Sequence, residues 1–202
     1  MTGRIAFQGE PGAYSHQACR EARPDMEALP CATFDDVISA VTGGKADLAM
    51  LPVENTTYGR VADIHRLLPE SGLHIVDEAF VRVHISLMAM PGVPLEDVDT
   101  VRAHLVLLPQ CRDFLDRHGI TGEAAADSAG AAAEIAEQNE RRTGALASDL
   151  AAEIYGLNIL ARHIEDHSHN TTRFLIMSRD ADHSRRDTRM MTTFVFRVRN
   201  IP

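Results

Sequence analysis

Short apolar runs and amphipathic stretches take turns along this chain. Residues 4–7 read as a brief buried strand. The polar, glycine-bearing stretch Gln8-Gly9-Glu10-Pro11-Gly12-Ala13-Tyr14-Ser15-His16 leads from it into a helix expected to reach Glu21. Residues 29–32 make a second strand. Phe34, Val37, Ile38 and Val41 then recur at helical spacing behind Thr33, whose hydroxyl suits an N-cap, and Gly43-Gly44 stops that helix. Residues 46–53 form a third buried run with a proline at its end, followed by the polar cluster Glu54-Asn55-Thr56-Thr57-Tyr58-Gly59. Val61, Ile64, His65, Leu67 and Leu68 continue as an amphipathic helix. Strands alternating with helices predict an α/β fold with a mainly parallel sheet.

The rhythm then breaks. Residues 73–90 are extended in character, alternating in Arg82-Val83-His84-Ile85-Ser86-Leu87, and are too long for one small sheet. They are expected to cross from one lobe to another. Beyond Pro91 and Pro94 the alternation restarts, with strands over 100–103, 122–125 and 144–147 and helices over 107–117, 129–142 and 150–155. Residues 160–164 are extended again. Gly43-Gly44-Lys45-Ala46-Asp47-Leu48-Ala49 is echoed by Arg142-Thr143-Gly144-Ala145-Leu146-Ala147-Ser148, a small-residue strand after a helix in each half. Two similar α/β lobes with a cleft between them follow, and a cleft of that kind is a favoured place for a small ligand. Lobe 1 is expected over 1–76 plus 168–180 and lobe 2 over 77–167.

The stretch Asn170-Thr171-Thr172-Arg173-Phe174-Leu175-Ile176-Met177 concentrates the chemistry, because polar residues run directly into a buried strand. Arg173 offers a planar fork of donors matched to a carboxylate, the threonines offer hydroxyls and Asn170 an amide. The loop around Gly12, Ala13, Tyr14 and Ser15 leaves backbone N–H groups and a helix N-terminus for an anion. Asn55 and Thr56 sit at the C-terminal end of a strand, where open parallel sheets bind ligands. Glu54 is a candidate acid or, equally, a cap for the structure that follows. His163, His167 and His169 with Glu165 and Asp166 have no standard metal spacing and are expected to be solvated hinge residues, so no metal site is assigned. His104 is expected to begin a helix.

A net charge of −9 argues against a nonspecific nucleic-acid surface, and no apolar run approaches a membrane span. The chain opens straight into a strand pattern, leaving no room for a signal peptide. Cys19, Cys31 and Cys111 are odd in number and far apart, so reduced, largely buried thiols and a cytoplasmic location are expected.

With these residues in view, the chain resembles the prephenate dehydratase catalytic domain through an ordered series of motifs spanning 4–178. These are Phe7-Gln8-Gly9-Glu10-Pro11-Gly12-Ala13-Tyr14-Ser15, Pro52-Val53-Glu54-Asn55-Thr56, His104 with Gln110-Cys111-Arg112, Asp127-Ser128-Ala129-Gly130, Ala147-Ser148, Tyr155-Gly156-Leu157, Asp166, Asn170 and Thr172-Arg173-Phe174. Thr56 stands where Ser is usual, Leu105 and Val106 where Pro and Gln are, and Ser128 where Thr is common. The resemblance implies a type II periplasmic-binding-protein-like architecture and the conversion of prephenate to phenylpyruvate without cofactor or metal. It also implies a homodimer or homotetramer. Thr172, Arg173 and Glu54 are the implied catalytic residues, and Gly12, Ala13, Tyr14, Ser15, Asn55, Thr56, Asn170 and Phe174 the implied substrate contacts. Arogenate dehydratase is the alternative enzyme, and a small-anion sensor the non-catalytic alternative. Residues 192–202 resemble the opening strand of an ACT regulatory domain, behind a charged linker, so 181–202 are expected to carry only the start of that module.

Overall fold

The structure, a computed structural model, describes residues 3–167 and 169–182. The expected ACT-like strand, and all but the first residues of its linker, lie outside the described residues. The first sheet is built from β1 (Arg4–Gln8), β2 (Glu27–Cys31), β3 (Leu48–Asn55), the two-residue β4 (Gly59–Arg60), β5 (His74–Arg82) and β11 (Thr171–Ser178). Its order is β2-β1-β3-β11-β5, with β4 turned back on β3. The second sheet contains β6 (Ser86–Ala89), β7 (Thr100–His104), β8 (Thr121–Ala125), β9 (Thr143–Ala147) and β10 (Asn158–Ala161), in the order β10-β6-β9-β7-β8.

Read outward from the same edge, the two sheets match strand for strand. β1, β2 and β3 pair in parallel, as do β7, β8 and β9. In each sheet the fourth strand is antiparallel, β11 beside β3 and β6 beside β9, and both follow a crossing from the other lobe. The internal echo thus marks the equivalent strands β3 and β9, and the two-lobed α/β architecture expected from the sequence is the one observed.

Helices α1 (Tyr14–Ala22) and α2 (Phe34–Thr42) cover opposite faces of the first sheet, with α3 (Ala62–Leu67) on the α2 side. The α2 face buries Val37, Val41, Leu51, Ile64 and Leu175, and the α1 face buries Ile5, Phe7, Met50, Phe174 and Ile176. Thr33 caps α2 as expected, in a reciprocal capping box with Asp36. In lobe 2, α4 (Arg112–His118), α5 (Ser128–Gln138) and α6 (Asp149–Tyr155) flank the sheet.

Several boundaries differ from expectation, each for a local reason. β3 continues past Pro52 because the pairing with β11 slips there: Arg173 faces Glu54 while Phe174 faces Pro52. That irregularity accommodates a residue with no N–H to donate. The expected lobe boundary at 76–77 falls inside β5, which pairs with β11 from His74 to Arg82, so the chain crosses only at 83–85. The helix expected over 107–117 begins as a 3-10 turn, Leu108–Cys111, with a proline in its first turn. α5 stops at Gln138 because Asn139 adopts the left-handed conformation (φ 52°). Among the described residues no helix is long and apolar enough to cross a membrane.

Candidate active site

The C-terminal ends of β1 and β3 and the N-terminal end of β11 share one edge of the first sheet. Strand directions in the second sheet bring His104, Ala125 and Ala147 to the edge that faces it. Between these edges lies a cavity of about 280 Å³, lined from lobe 1 by Gln8, Gly9 and Gly12 to Ser15, and from lobe 2 by His104, Leu107, Asp127, Ser128 and Ser148 among others. A larger, more open groove of about 560 Å³ runs along α6 and β10 on lobe 2, away from the facing edges.

The loop after β1 is held from both lobes. Gly12 donates its N–H to His16 Nδ1 at 3.0 Å, so that nitrogen carries a lone pair, and the His16 ring stacks on Phe7. Burial, and then Arg20, lower the His16 pKa below its usual value. Ser148 donates to the Gly12 carbonyl at 2.5 Å and Tyr155 to the Pro11 carbonyl at 2.8 Å. Gly12 has φ +94°, and a Cβ there would meet the Ala151 backbone at 2.8 Å, so only glycine permits this approach of loop to helix. No side chain caps α1 at Ala13, which leaves the first-turn N–H groups of Tyr14 and Ser15 at an open helix N-terminus beside the cavity. The Tyr14 ring is half-buried, with its hydroxyl on the His84 carbonyl at 2.9 Å, and desolvation raises its pKa well above the usual value.

A chain of amides runs along the edge of lobe 1. The Asn55 Oδ1 accepts the N–H groups of Thr57 (2.9 Å) and Tyr58 (3.0 Å). This fixes its Nδ2 toward Asn170 Oδ1 (2.7 Å) and Thr172 Oγ1 (3.0 Å). Asn170, 2% exposed, passes its own Nδ2 to Gln110 Oε1 at 2.6 Å, and Gln110 donates to the Val106 carbonyl at 2.8 Å. Leu107, on the cavity wall, and Gln110 belong to the same short turn, so the amide chain ties Thr172 to the cavity's lobe 2 wall.

The residues expected to act together divide between the two faces of the sheet. Successive strand residues alternate in direction. Thr172 shares the α1 face with buried Phe174, whereas Arg173 turns to the other face. There the Arg173 Nε donates to Glu78 Oε2 at 2.9 Å, and its Nη1 lies 3.8 Å from Glu54 Oε2. Glu54 sits in β3, and no side chain caps the helix that follows, α3. Thr56 closes the hairpin onto β11: its hydroxyl donates to the His169 carbonyl and accepts the Thr171 N–H. Phe174, 1% exposed, is core. His104 ends β7 rather than beginning a helix, and its Nδ1 accepts the Val106 N–H at 3.3 Å. Gln110, His104, Ser128 and Ser148 belong to the sequence motifs but carry no assigned contact there; the folded cleft brings His104, Ser128 and Ser148 beside the Gly12 loop and Gln110 against Asn170.

The hinge differs most from its sequence reading. Glu165 is not solvated. Its side chain is 6% exposed, with Oε1 2.9 Å from His84 Nδ1 and Oε2 accepting the Ile85 N–H at 2.9 Å. Asp166 donates its backbone N–H to the Gln110 carbonyl, while its carboxylate stays toward the surface and accepts the Asp113 N–H at 3.3 Å.

The family model described as "Prephenate dehydratase" matches residues 5–182. The chain belongs to the prephenate dehydratase family. It is 49% identical over 199 residues to a "Bifunctional N-acyl-homoserine lactone acylase/prephenate dehydratase" of Komagataeibacter europaeus, covering 98% of this chain and 71% of that protein. It is 44% identical over 177 residues to an "Arogenate dehydratase/prephenate dehydratase 2, chloroplastic" of Arabidopsis thaliana, covering 88% of this chain and 46% of that one. The crystal structure of a prephenate dehydratase from Arthrobacter aurescens in complex with L-Phe superposes with a TM-score of 0.81 at 29% identity, over 89% of this chain and 61% of that chain. The chain thus spans about half the length of the plant relative it matches, and somewhat more of the bacterial ones.

Proposed function

We propose that this prephenate dehydratase family member catalyses the decarboxylating dehydration of prephenate to phenylpyruvate, with Thr172 donating a hydrogen bond to the departing ring hydroxyl. The observation that carries this reading is the orientation of that hydroxyl. Asn55 can only donate to Thr172 Oγ1, since its own oxygen is taken by two backbone N–H groups. The Thr172 proton is therefore directed elsewhere, and among the described residues no protein acceptor takes it.

The reaction consumes one proton: the prephenate dianion and a proton give the phenylpyruvate anion, carbon dioxide and water. The C–O bond to the ring hydroxyl and the C–C bond to the ring carboxylate break, and the electron pair of the latter completes the aromatic ring. Aromatisation supplies the driving force, so the reading assigns no cofactor. A threonine hydroxyl is far too weak an acid to give up its proton outright at neutral pH. It assists by hydrogen bonding while the proton comes through water. The retained side-chain carboxylate is placed at the open N-terminus of α1, near Ser15 and His104, where donors converge without a competing cation on the leaving carboxylate. Arg173 acts from the opposite face as a positioning residue through its pair with Glu78. The enzyme is read as cytoplasmic and as a homodimer or homotetramer.

The test is spectroscopic appearance of phenylpyruvate from prephenate by the wild-type chain and its loss in Thr172→Ala. A chain that binds prephenate without turnover is a sensor, and the reading fails. Competition between prephenate and arogenate decides the substrate, and preferential consumption of arogenate overturns the choice of prephenate.

A further inference from the structure

Two segments join the lobes, one between β5 and β6 and one between β10 and β11, and three potential metal-ligand side chains meet where they touch. His84 comes from the first, and His163 and Glu165 from the second. Their ligand atoms lie within 4.8 Å of one another, the single such cluster of three among the described residues. His84 Nδ1 is 2.7 Å from His163 Nδ1 and 2.9 Å from Glu165 Oε1, and the two rings meet edge to face.

Protons alone serve this arrangement poorly. If His84 Nδ1 carries a hydrogen, that one hydrogen faces both a carboxylate oxygen and an imidazole lone pair. If it does not, its lone pair faces a carboxylate. Three electron-pair donors converge on a point where a cation satisfies all of them at once. The backbone supports the same reading. His163 has φ 53°, one of two non-glycine residues with positive φ among those described, and the other, Asn139, is an ordinary helix terminator. A left-handed histidine is an energetic cost, and here it brings the imidazole against His84.

We propose that His84, His163 and Glu165 form a binding site for one divalent transition-metal ion of the zinc class, fastening the two inter-lobe segments to each other. Two imidazole nitrogens and a carboxylate are a ligand set suited to zinc, with a fourth position left for water. Metal–ligand bonds of about 2.0–2.1 Å in tetrahedral array need ligand atoms about 3.3 Å apart, so the two close pairs, at 2.7 and 2.9 Å, open by about half an ångström on binding. Exposed His163 is free to make that movement. The surroundings orient the ligands as a second shell should. The Ile85 N–H holds Glu165 Oε2, leaving Oε1 directed at the imidazoles, and the His84 carbonyl is anchored by Tyr14. Asp149, held by Ser86 and Arg162, adds negative charge near His163. The fourth position opens toward a groove of about 320 Å³ lined by His84, His163, Asp149, Gln17, Arg20 and Glu153. This groove is separate from the cavity beside Gly12, so the site acts on the hinge and not on the reacting substrate.

Equilibrium dialysis of the tag-free chain against zinc, with metal analysis, tests the proposal, and cobalt substitution supplies a visible absorption band for a tetrahedral site. The expected result is one zinc per chain, a saturable rise in Tm, and loss of affinity of about 100-fold or more in His163→Asn. Asparagine tolerates the left-handed conformation, so that variant keeps the backbone. Glu165→Gln should weaken binding similarly, whereas His74→Ala, on a distant strand end, should leave it unchanged. Failure of the wild-type chain to bind stoichiometric zinc, or binding that survives both ligand variants, overturns the site.

Discussion

The Asn55 side-chain amide bridges Asn170 and Thr172, 2.7 Å from the carbonyl oxygen of one and 3.0 Å from the hydroxyl oxygen of the other. The bridge gives Thr172 a defined polarity, acceptor on one side and donor on the other. Asn55→Asp reverses it: a carboxylate cannot donate, and it captures the Thr172 proton as a charge-assisted acceptor. Turnover should fall by about 10²-fold or more while KM for prephenate changes little. Steady-state kinetics, with circular dichroism to confirm folding, measures this. A KM effect with unchanged kcat would assign Asn55 to binding instead.

Thr172 itself separates donor from packing. Thr172→Ala removes the hydroxyl and should lower kcat by roughly 10²–10⁴. Thr172→Ser keeps the donor and should retain much of the rate. Thr171→Ala, the neighbouring position in the same strand, should be mild. If Thr172→Ala turns over normally and Glu54→Gln does not, the acid is Glu54, although that carboxylate lies on the other face of the sheet with Arg173.

Much of this organisation was legible in the sequence. The strand–helix rhythm, the Thr33 cap, the echo that became β3 and β9, and a crossing somewhere within residues 73–90 all follow from local periodicity and turn chemistry, although the lobe boundary expected at 76–77 falls too early for a chain that crosses at 83–85. What the sequence reading missed is lateral. It grouped Thr172 with Arg173 because they adjoin, although period-two alternation already places neighbours in a strand on opposite faces. The β3 irregularity at Pro52, and the contacts of Gln110 with Asn170 and of Ser148 with Gly12, join residues far apart in the chain, and no local pattern marks them. The sequence picks out His163 and Glu165 at the hinge but not His84, for the same reason: His84 and Glu165 meet only when both lobes are folded.

The Arg173–Glu78 pair predicts a split between stability and catalysis. Arg173→Lys keeps a charge but loses the Nε donor that reaches Glu78 at 2.9 Å. The side chain is 20% exposed, so the lost bond should cost about 0.5–1.5 kcal/mol of folding stability by denaturant titration. KM should move by no more than a few-fold. A large rise in KM at unchanged stability would restore Arg173 as a direct carboxylate clamp.

The three thiols should differ in reactivity. Cys19 and Cys111 are buried, and burial pushes the Cys19 thiol up to about 12 and that of Cys111 higher still. Cys31 is half-buried, with a smaller upward shift from burial and then Asp36. A thiol-specific reagent at pH 8 should therefore label Cys31 slowly in the native chain, and all three cysteines only after denaturation. Rapid native labelling of Cys19 or Cys111, located by peptide mass spectrometry, would show that the core around α1 or α4 opens readily.

His16 predicts how stability depends on pH. Its folded pKa is held below the usual 6.5, first by burial and then by Arg20, and its Nδ1 must stay unprotonated to accept the Gly12 N–H. Above pH 6.5 the imidazole is neutral in both folded and unfolded chains, and its contribution to stability is fully present. As pH falls below 6.5 the unfolded chain binds a proton that the folded chain refuses, so stability declines until the folded pKa is passed and then levels off. Tm should accordingly fall between pH 7 and pH 5. His16→Asn keeps an oxygen able to accept from Gly12 but cannot titrate, so it should remove this component and leave a shallower profile. Parallel profiles for wild type and His16→Asn would mean that another group carries the acid sensitivity and that the Gly12 loop does not depend on a neutral His16.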